Sequence, residues 1–111
     1  MLNVFKVMQY LFNDSQGKKI SSQEVVRQII NFMGAAPERH YKVSLGTDSA
    51  PLKDKRADFV TAIIVHRVGN GARYFWRRNL VDKRFPTLRS RMYEEVLMSL
   101  EIARHFLEMT K

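Results

Sequence analysis

The sequence of 111 residues predicts a single α+β domain in which a three-stranded antiparallel meander, in the order 3-2-1, carries helices on both of its faces. Three patterns predict this fold: a helix-start signal at Ser21, a two-residue alternation that begins at Tyr41, and a long apolar stripe that follows Pro86. Hydrophobic residues make up 45% of the chain, enough to build the core of one domain.

The first helix is predicted to begin just after Ser21. Ser21 precedes Glu24 by three positions, the spacing of a capping box, and apolar residues then recur at helical spacing up to Gly34 and Pro37. Upstream, residues 1–12 also show helical spacing but are too few to define a helix alone, and residues 13–17 are typical of a turn.

Three strands are predicted to follow. Residues 41–48 alternate with period two, residues 51–58 form a charged loop, and residues 59–68 are apolar on both faces, as in a strand covered from both sides. The tripeptide Gly69-Asn70-Gly71 predicts a tight hairpin turn in which Asn-Gly adopts positive φ angles, and residues 72–81 form the third strand.

A final helix is predicted to begin near Pro86 and Thr87 and to run almost to Lys111. Its apolar residues fall on one stripe, which we expect to face the core. The stripe consists of Leu88, Met92, Val96, Leu100, Ala103 and Leu107.

Composition narrows the classes of function. The chain has 19 Lys and Arg against 11 Asp and Glu, and a net charge of +8 favours anionic partners such as nucleic acid. It has no cysteine, which excludes disulfides, thiolate catalysis and cysteine-based metal sites. No apolar run reaches the roughly 18 residues needed to span a bilayer, so we expect a cytoplasmic protein without membrane contact.

Asp48 is the first candidate for chemistry. It ends the first strand beside Gly46 and Ser44, whose small side chains leave room around the carboxylate. Hard cations such as Mg²⁺ prefer oxygen ligands, so Asp48 is a candidate metal ligand, and the alternative is a polar residue at a strand end.

Several segments resemble the ribonuclease H-like YkuK family of bacterial proteins. They are Leu45-Gly46-Thr47-Asp48-Ser49, the strand that includes residues 58–66, the segment that includes residues 69–75, the preceding helix and residues 91–95. The resemblance implies a ribonuclease H-like fold and a nuclease-related protein. It also implies two carboxylates that hold Mg²⁺ or Mn²⁺, an aspartate on the first strand and a glutamate on the following helix.

Asp48 matches that aspartate. Among the helix glutamates, Glu95 is the best match because it lies on the flank of the apolar stripe, whereas Glu94, Glu101 and Glu108 point away from it. Asp48 and Glu95 are therefore the predicted catalytic and metal-binding residues. The alternative for Glu95 is a surface pair with Arg91 or Ser99.

The sequence departs from the family in two places. Ala50 stands where the family usually has glutamine, and the fold implies a fourth strand with another aspartate, for which no residue can be nominated. We therefore expect residues 1–111 to be one domain truncated at its C-terminus. The first strand would then have an unpaired edge, and we expect self-association through residues 41–48.

Basic and aromatic residues alternate around the third strand. This pattern can bind the phosphates and stack on the bases of RNA or an RNA–DNA hybrid. The predicted nucleic-acid-binding residues are Arg73, Trp76, Arg77, Arg78, Arg84, Arg89 and Arg91. The alternatives are an edge strand protected by its charges, a non-catalytic module that binds nucleic acid or protein, and a structural homo-oligomer.

Overall fold

The structure is a computed structural model, which describes residues 10–110. Its elements in chain order are β1 (Leu11–Asn13), β2 (Lys19–Ser21), α1 (Ser22–Gly34), β3 (Tyr41–Pro51), β4 (Ala57–Arg67), β5 (Ala72–Val81) and α2 (Leu88–Met109). Within the described residues, no helix is both long enough and apolar enough to cross a membrane.

The sheet is antiparallel and five-stranded, in the order β2-β1-β5-β4-β3, so the prediction of a three-stranded meander is wrong. The extra strands β1 and β2 form a hairpin that joins β5 through the pair Asn13↔Trp76. Each is three residues long, too short to show a period of two. Leu11, whose spacing resembled a helix, lies in β1, and the rest of that apolar pattern lies outside the described residues.

Both helices pack on the same face of the sheet, so the prediction of helices on both faces is also wrong. Val25 of α1 and Ile102 of α2 share one buried cluster with Ile63 of β4 and Phe75 of β5. Since paired residues in a sheet share a face, both helices cover the face to which Ile63 and Phe75 belong.

The opposite side of the sheet, called here the open face, carries no helix among residues 10–110. Along β4, Phe59 and Ile63 are buried, whereas Val60 and Ile64 are 36% and 41% exposed. Apolar residues on both faces of β4 predict cover on both sides, but they do not identify which side receives the helices.

The start of α1 follows the capping signal in part. The Ser21 hydroxyl accepts a hydrogen bond from the Glu24 amide at 3.1 Å, as predicted. The Glu24 carboxylate instead accepts hydrogen bonds from Arg27 and Gln28. These bonds, led by the one from Arg27, lower the pKa of Glu24 to about 2.

The predicted hairpin after β4 is present, with a longer loop. Residues 68–71 connect Arg67 to Ala72, and the positive φ angles belong to Gly69 (79°) and Gly71 (94°) rather than to Asn70. The two glycines accept these angles without a steric penalty, so they make the turn.

The apolar stripe of α2 faces outward, against the prediction. We call Leu88, Met92, Val96, Leu100, Ala103 and Leu107 the outer stripe. Its five large side chains are between 54% and 67% exposed. The buried residues of α2 are instead Met98, Ile102 and His105, on the other side of the helix.

Three side chains hold the C-terminal end of α1. Tyr41 of β3 donates its hydroxyl to the carbonyls of Ala36 at 2.7 Å and Met33 at 3.2 Å. Arg67 of β4 donates to the Phe32 carbonyl at 2.6 Å and to the Tyr41 hydroxyl at 3.1 Å, and its guanidinium lies 4.0 Å from the centre of the Phe32 ring. We call Phe32, Tyr41 and Arg67 the helix-end clamp, because Tyr41 and Arg67 donate to carbonyls at and just after the end of α1 and Arg67 also lies over the Phe32 ring.

Candidate nucleic-acid and metal site

Asp48 lies on β3, the strand at one edge of the sheet. It stands opposite Val60 of β4 and is therefore on the open face, where its side chain is exposed. Its Oδ1 atom accepts a hydrogen bond of 2.9 Å from the backbone amide of Ser49. The predicted space around this carboxylate is present, since Gly46 has no atom close to where a Cβ would stand.

Glu95 lies on α2 and faces the helix-covered side of the same strand. The Ser49 hydroxyl donates to Glu95 Oε2 at 2.5 Å, and Arg91 Nη1 donates to the Ser49 hydroxyl at 3.2 Å. Successive residues of a strand point to opposite faces. The Ser49 side chain therefore points to the helix-covered face, where it meets Glu95, and the Asp48 side chain points to the open face. The two carboxylates thus lie on opposite faces of the edge strand, with Asp48 bonded to the backbone amide of Ser49 and Glu95 to its hydroxyl.

The contact between α2 and β3 continues as a row of polar side chains. Ser99 donates to the Thr47 hydroxyl at 2.8 Å, and Thr47 is also hydrogen-bonded to Thr61 at 2.8 Å. Glu95 and Ser99 are four residues apart and lie on one side of the helix. We call the row formed by Arg91, Glu95 and Ser99 with Thr47 and Ser49 the polar seam. Glu95 faces the sheet because of this seam, and not because the outer stripe is buried.

The oxygen ligands at the site match the chemistry of a divalent cation in part. Mg²⁺ commonly binds one or two carboxylates and completes its shell with water and substrate phosphates. Asp48 and Glu95 are two carboxylates, one on each face of the edge strand β3. No cluster of three or more acidic or histidine side chains that could hold a metal occurs among residues 10–110.

Two other aspartates are engaged elsewhere. Asp58 accepts a hydrogen bond from Arg78 at 2.7 Å, which is the main reason that its pKa lies below the ordinary value. Asp54 is paired with Arg56 in the turn between β3 and β4. Neither is joined to Ser49, so the site has no third carboxylate among the described residues.

The basic residues of β5 do not form one surface. Arg73 and Arg77 belong to the helix-covered face, whereas Trp76 and Arg78 belong to the open face. Arg73 lies 4.5 Å from the centre of the Phe32 ring, and Arg78 is paired with Asp58. The alternation of a strand therefore separates residues that are adjacent in the sequence.

Arg77 is partly buried beside a small polar cavity. Its guanidinium lies 4.8 Å from the centre of the Tyr10 ring, and burial lowers its pKa. Tyr10 donates its hydroxyl to Glu101 at 2.6 Å, and burial, followed by this bond, raises its pKa to about 12. These residues help to line a cavity of about 210 Å³ between α2 and the sheet. Arg77 is thus placed against the protein interior rather than toward an extended phosphate backbone.

Arg84 and Arg89 are brought together in a groove of about 340 Å³ at the start of α2. We call this groove, lined by Lys83, Arg84, Phe85, Thr87, Arg89, Ser90, Tyr93 and Glu94, the cationic groove. Lys83 lies 3.8 Å from the Glu94 carboxylate, and Tyr93 is 68% exposed. The sequence prediction did not include Tyr93, although an aromatic residue one turn after Arg89 was a usable signal.

Arg91 lies on the side of α2 that contacts β3. It is two residues after Arg89 and donates to Ser49, which contacts both Asp48 and Glu95. The first two turns of α2 therefore carry residues of the groove and of the carboxylate site.

Comparison with known proteins adds two matches. The family described as Ribonuclease H-like matches residues 24–111. The Bacillus subtilis (strain 168) protein named "Uncharacterized protein YkuK" is 31% identical over 99 residues, which cover 89% of this chain and 57% of that protein. The chain thus spans little more than half the length of this relative. No solved structure matches the chain.

Proposed function

Because the chain belongs to the ribonuclease H-like family, we propose that it is a nuclease-related protein that acts on RNA or an RNA–DNA hybrid with Mg²⁺ or Mn²⁺. One observation carries the proposal: Ser49 is hydrogen-bonded to both Asp48 and Glu95 at an exposed strand edge. The nearby cationic groove supports a polyanionic substrate, since Arg84 and Arg89 both line it.

In this proposal Asp48 is the main metal ligand, because its carboxylate is exposed on the open face. Glu95 is the second ligand, and the Ser49 hydroxyl and Arg91 hold it in position. A bound divalent ion would activate water and stabilise the leaving oxygen in phosphodiester cleavage.

The cationic groove has the role of holding the substrate. Arg84 and Arg89 would bind phosphates, and the exposed ring of Tyr93 would stack on a base. Arg91 would be a positioning residue, because it contacts Ser49 and is close to the carboxylates in sequence. Of the predicted nucleic-acid-binding set, these are the residues whose positions favour a shared surface.

Replacing Asp48 with asparagine is expected to lower Mg²⁺-dependent cleavage of RNA or an RNA–DNA hybrid at least about 100-fold. Even residues that only orient a metal ligand often contribute 10–100-fold. Cleavage of a labelled duplex, with Mg²⁺ and with Mn²⁺, measures the activity. Calorimetric titration with Mn²⁺ measures the loss of metal binding separately.

The matched control is Asp54→Asn, which removes an exposed carboxylate in the turn between β3 and β4. This control should cleave like the wild type. Equal cleavage by Asp48→Asn and the wild type would remove Asp48 from the mechanism. A wild type that neither cleaves nor binds Mn²⁺ would exclude the metal-dependent activity.

The second candidate is a non-catalytic nucleic-acid-binding module on the same scaffold. It is favoured by the small number of acidic groups at the site, since residues 10–110 bring no third carboxylate to it. In this function the cationic groove binds the phosphate backbone and Asp48 has no catalytic role. A protein partner is the other possibility for the same scaffold.

Binding to RNA is expected to weaken when Arg84 and Arg89 are both changed to alanine. Each lost phosphate contact should lower the slope of the logarithm of affinity against the logarithm of salt concentration by about one. Fluorescence anisotropy with labelled RNA at several salt concentrations measures both quantities. Arg73→Ala is the control, because Arg73 lies over the Phe32 ring, and an equal effect from it would exclude the groove.

A third candidate, a structural homo-oligomer, is favoured by the position of β3. This strand is eleven residues long and pairs with β4 alone among the described strands. The backbone groups on its outer edge can pair with another strand, so self-association through residues 41–48 stays a proposal.

A further inference from the structure

We propose that a second copy of this chain docks on the outer stripe of α2, with the two α2 helices antiparallel. The inference does not depend on the nuclease proposal. It starts from the exposure of five large apolar side chains on one side of a 22-residue helix: Leu88, Met92, Val96, Leu100 and Leu107.

Apolar residues lie on two sides of α2: Met98 and Ile102 are buried against the sheet, and the outer stripe is exposed. The side that faces β3 carries the charged and hydroxyl groups of the polar seam, including Arg91, Glu95 and Ser99. The outward side carries the outer stripe. A contiguous apolar patch of this kind, bordered by polar residues, is often a functional surface.

The spacing of the outer stripe favours a second copy as the occupant. The outer stripe is symmetric about a midpoint between Leu97 and Met98. Leu88 and Leu107 are equally far from this midpoint along the chain, and so are Met92 and Ala103. The centre of Val96 and Leu100 lies half a residue from it. A two-fold axis through that point brings each apolar residue of one helix against an apolar residue of the other. The stripe is therefore complementary to itself when the helices are antiparallel.

Charge favours the same orientation. Arg89 is exposed and lies on the same side of α2 as the outer stripe, near the start of the helix. In an antiparallel pair, Arg89 of one copy approaches the C-terminal end of the other helix, which is the negative end of its dipole. A parallel pair would bring Arg89 against Arg89.

The size of the patch is consistent with a reversible dimer. The helix is about 33 Å long at 1.5 Å per residue. Its five large side chains offer on the order of 500 Å² of apolar surface. A stable interface buries roughly 800 Å² per partner, and the residues that flank the outer stripe would supply the remaining area.

The test begins with the mass of the full chain, measured by sedimentation velocity over a wide range of concentrations. The wild type should form a dimer. Leu100→Glu places a charge near the two-fold axis in each copy and should weaken the dimer at least about 100-fold. Because Leu100 is 61% exposed, the variant should fold normally, which circular dichroism checks.

Two control variants separate this surface from the others. Leu80→Glu adds the same charge at a leucine that is 59% exposed on the open face, and Val43→Lys adds a charge at a valine that is 63% exposed on β3. Both should dimerise like the wild type. A monomeric wild type would overturn the proposal, and so would a dimer that Leu100→Glu leaves intact. A dimer that only Val43→Lys disrupts would be assigned to β3.

The orientation can be tested because the chain has no cysteine of its own. In the antiparallel pair, residue 96 of one chain lies near residue 96 of the other, so Val96→Cys should form a cross-linked dimer with a short bis-maleimide. Leu88→Cys should not cross-link, since residue 88 of one chain is about 28 Å along the helix axis from residue 88 of the other. A mixture of Leu88→Cys and Leu107→Cys should cross-link. Efficient cross-linking of Leu88→Cys alone would contradict the antiparallel arrangement.

Discussion

Replacing Phe75 with alanine is expected to lower the free energy of unfolding by about 3–5 kcal/mol, as for other large core truncations. Phe75 is 1% exposed and belongs to the cluster that joins both helices to the sheet through Val25, Ile63 and Ile102. A cavity at this point removes contacts with both helices and with the neighbouring strand at once. Since small domains are stable by only about 5–15 kcal/mol, the loss should be large in urea denaturation.

The neighbouring residue provides the matched control. Tyr74 lies next to Phe75 on β5 but on the open face, where it is 45% exposed. Tyr74→Ala should cost less than about 1 kcal/mol, the range of exposed strand positions. Equal losses for the two variants would show that the open face is covered as well, against the fold described above.

Replacing Arg67 with methionine is expected to cost about 2–3 kcal/mol of stability. Methionine keeps most of the length of the side chain but removes the hydrogen bonds to the Phe32 carbonyl and the Tyr41 hydroxyl, together with the contact of the guanidinium with the Phe32 ring. The C-terminal end of α1 should then fray. The loss of unfolding free energy in urea measures the effect, and Arg67→Lys should recover only part of it, because lysine lacks the planar fork.

Arg73→Met is the control for the helix-end clamp. Arg73 also lies over the Phe32 ring, at 4.5 Å, but its side-chain hydrogen bond goes only to the carbonyl of its own neighbour Ala72. Its loss should cost about 0.5–1 kcal/mol, the range of a cation–π contact alone. If Arg67→Met cost no more than Arg73→Met, the hydrogen bonds of the clamp would have no net effect on stability.

The predictions that succeeded rest on local interactions. Ser21 caps α1 because its hydroxyl reaches the Glu24 amide three residues later, and Thr87 caps α2 through Ser90 in the same way. The two-residue period from Tyr41 predicted β3, since alternation is a property of one strand. Such signals are contained in a few consecutive residues, so the sequence alone reveals them.

The predictions that failed concern which surfaces meet. The outer stripe has ideal helical spacing, but periodicity does not show whether an apolar side faces the core or a partner. On β4, Val60 and Phe59 are both apolar, yet only Phe59 is covered by the helices. The strands β1 and β2 are held by pairing with distant residues, for which three-residue segments carry no signal of their own.

The candidate site was predicted in part. Asp48 lies on the predicted strand beside Gly46, but β3 continues to Pro51, so Asp48 does not end the strand as predicted. Glu95 faces the same strand. The role of Ser49 between them was not predicted, because it depends on α2 lying across β3. The strand arginines were grouped by their proximity in sequence, and Arg77 and Arg78 then point to opposite faces. Their functional roles stay predictions.

The single pair that joins β1 to β5 has a consequence for the order of folding. The β3–β4 and β4–β5 hairpins connect neighbouring segments and have many local pairs, whereas Asn13 and Trp76 are 63 residues apart. Closing that long loop loses more chain entropy for one pair than closing either hairpin does. We therefore expect β3, β4 and β5 to assemble early and β1–β2 to dock late. The junction between β1 and β5 should also open first when the native protein fluctuates, and this opening would transiently expose the backbone beside Trp76.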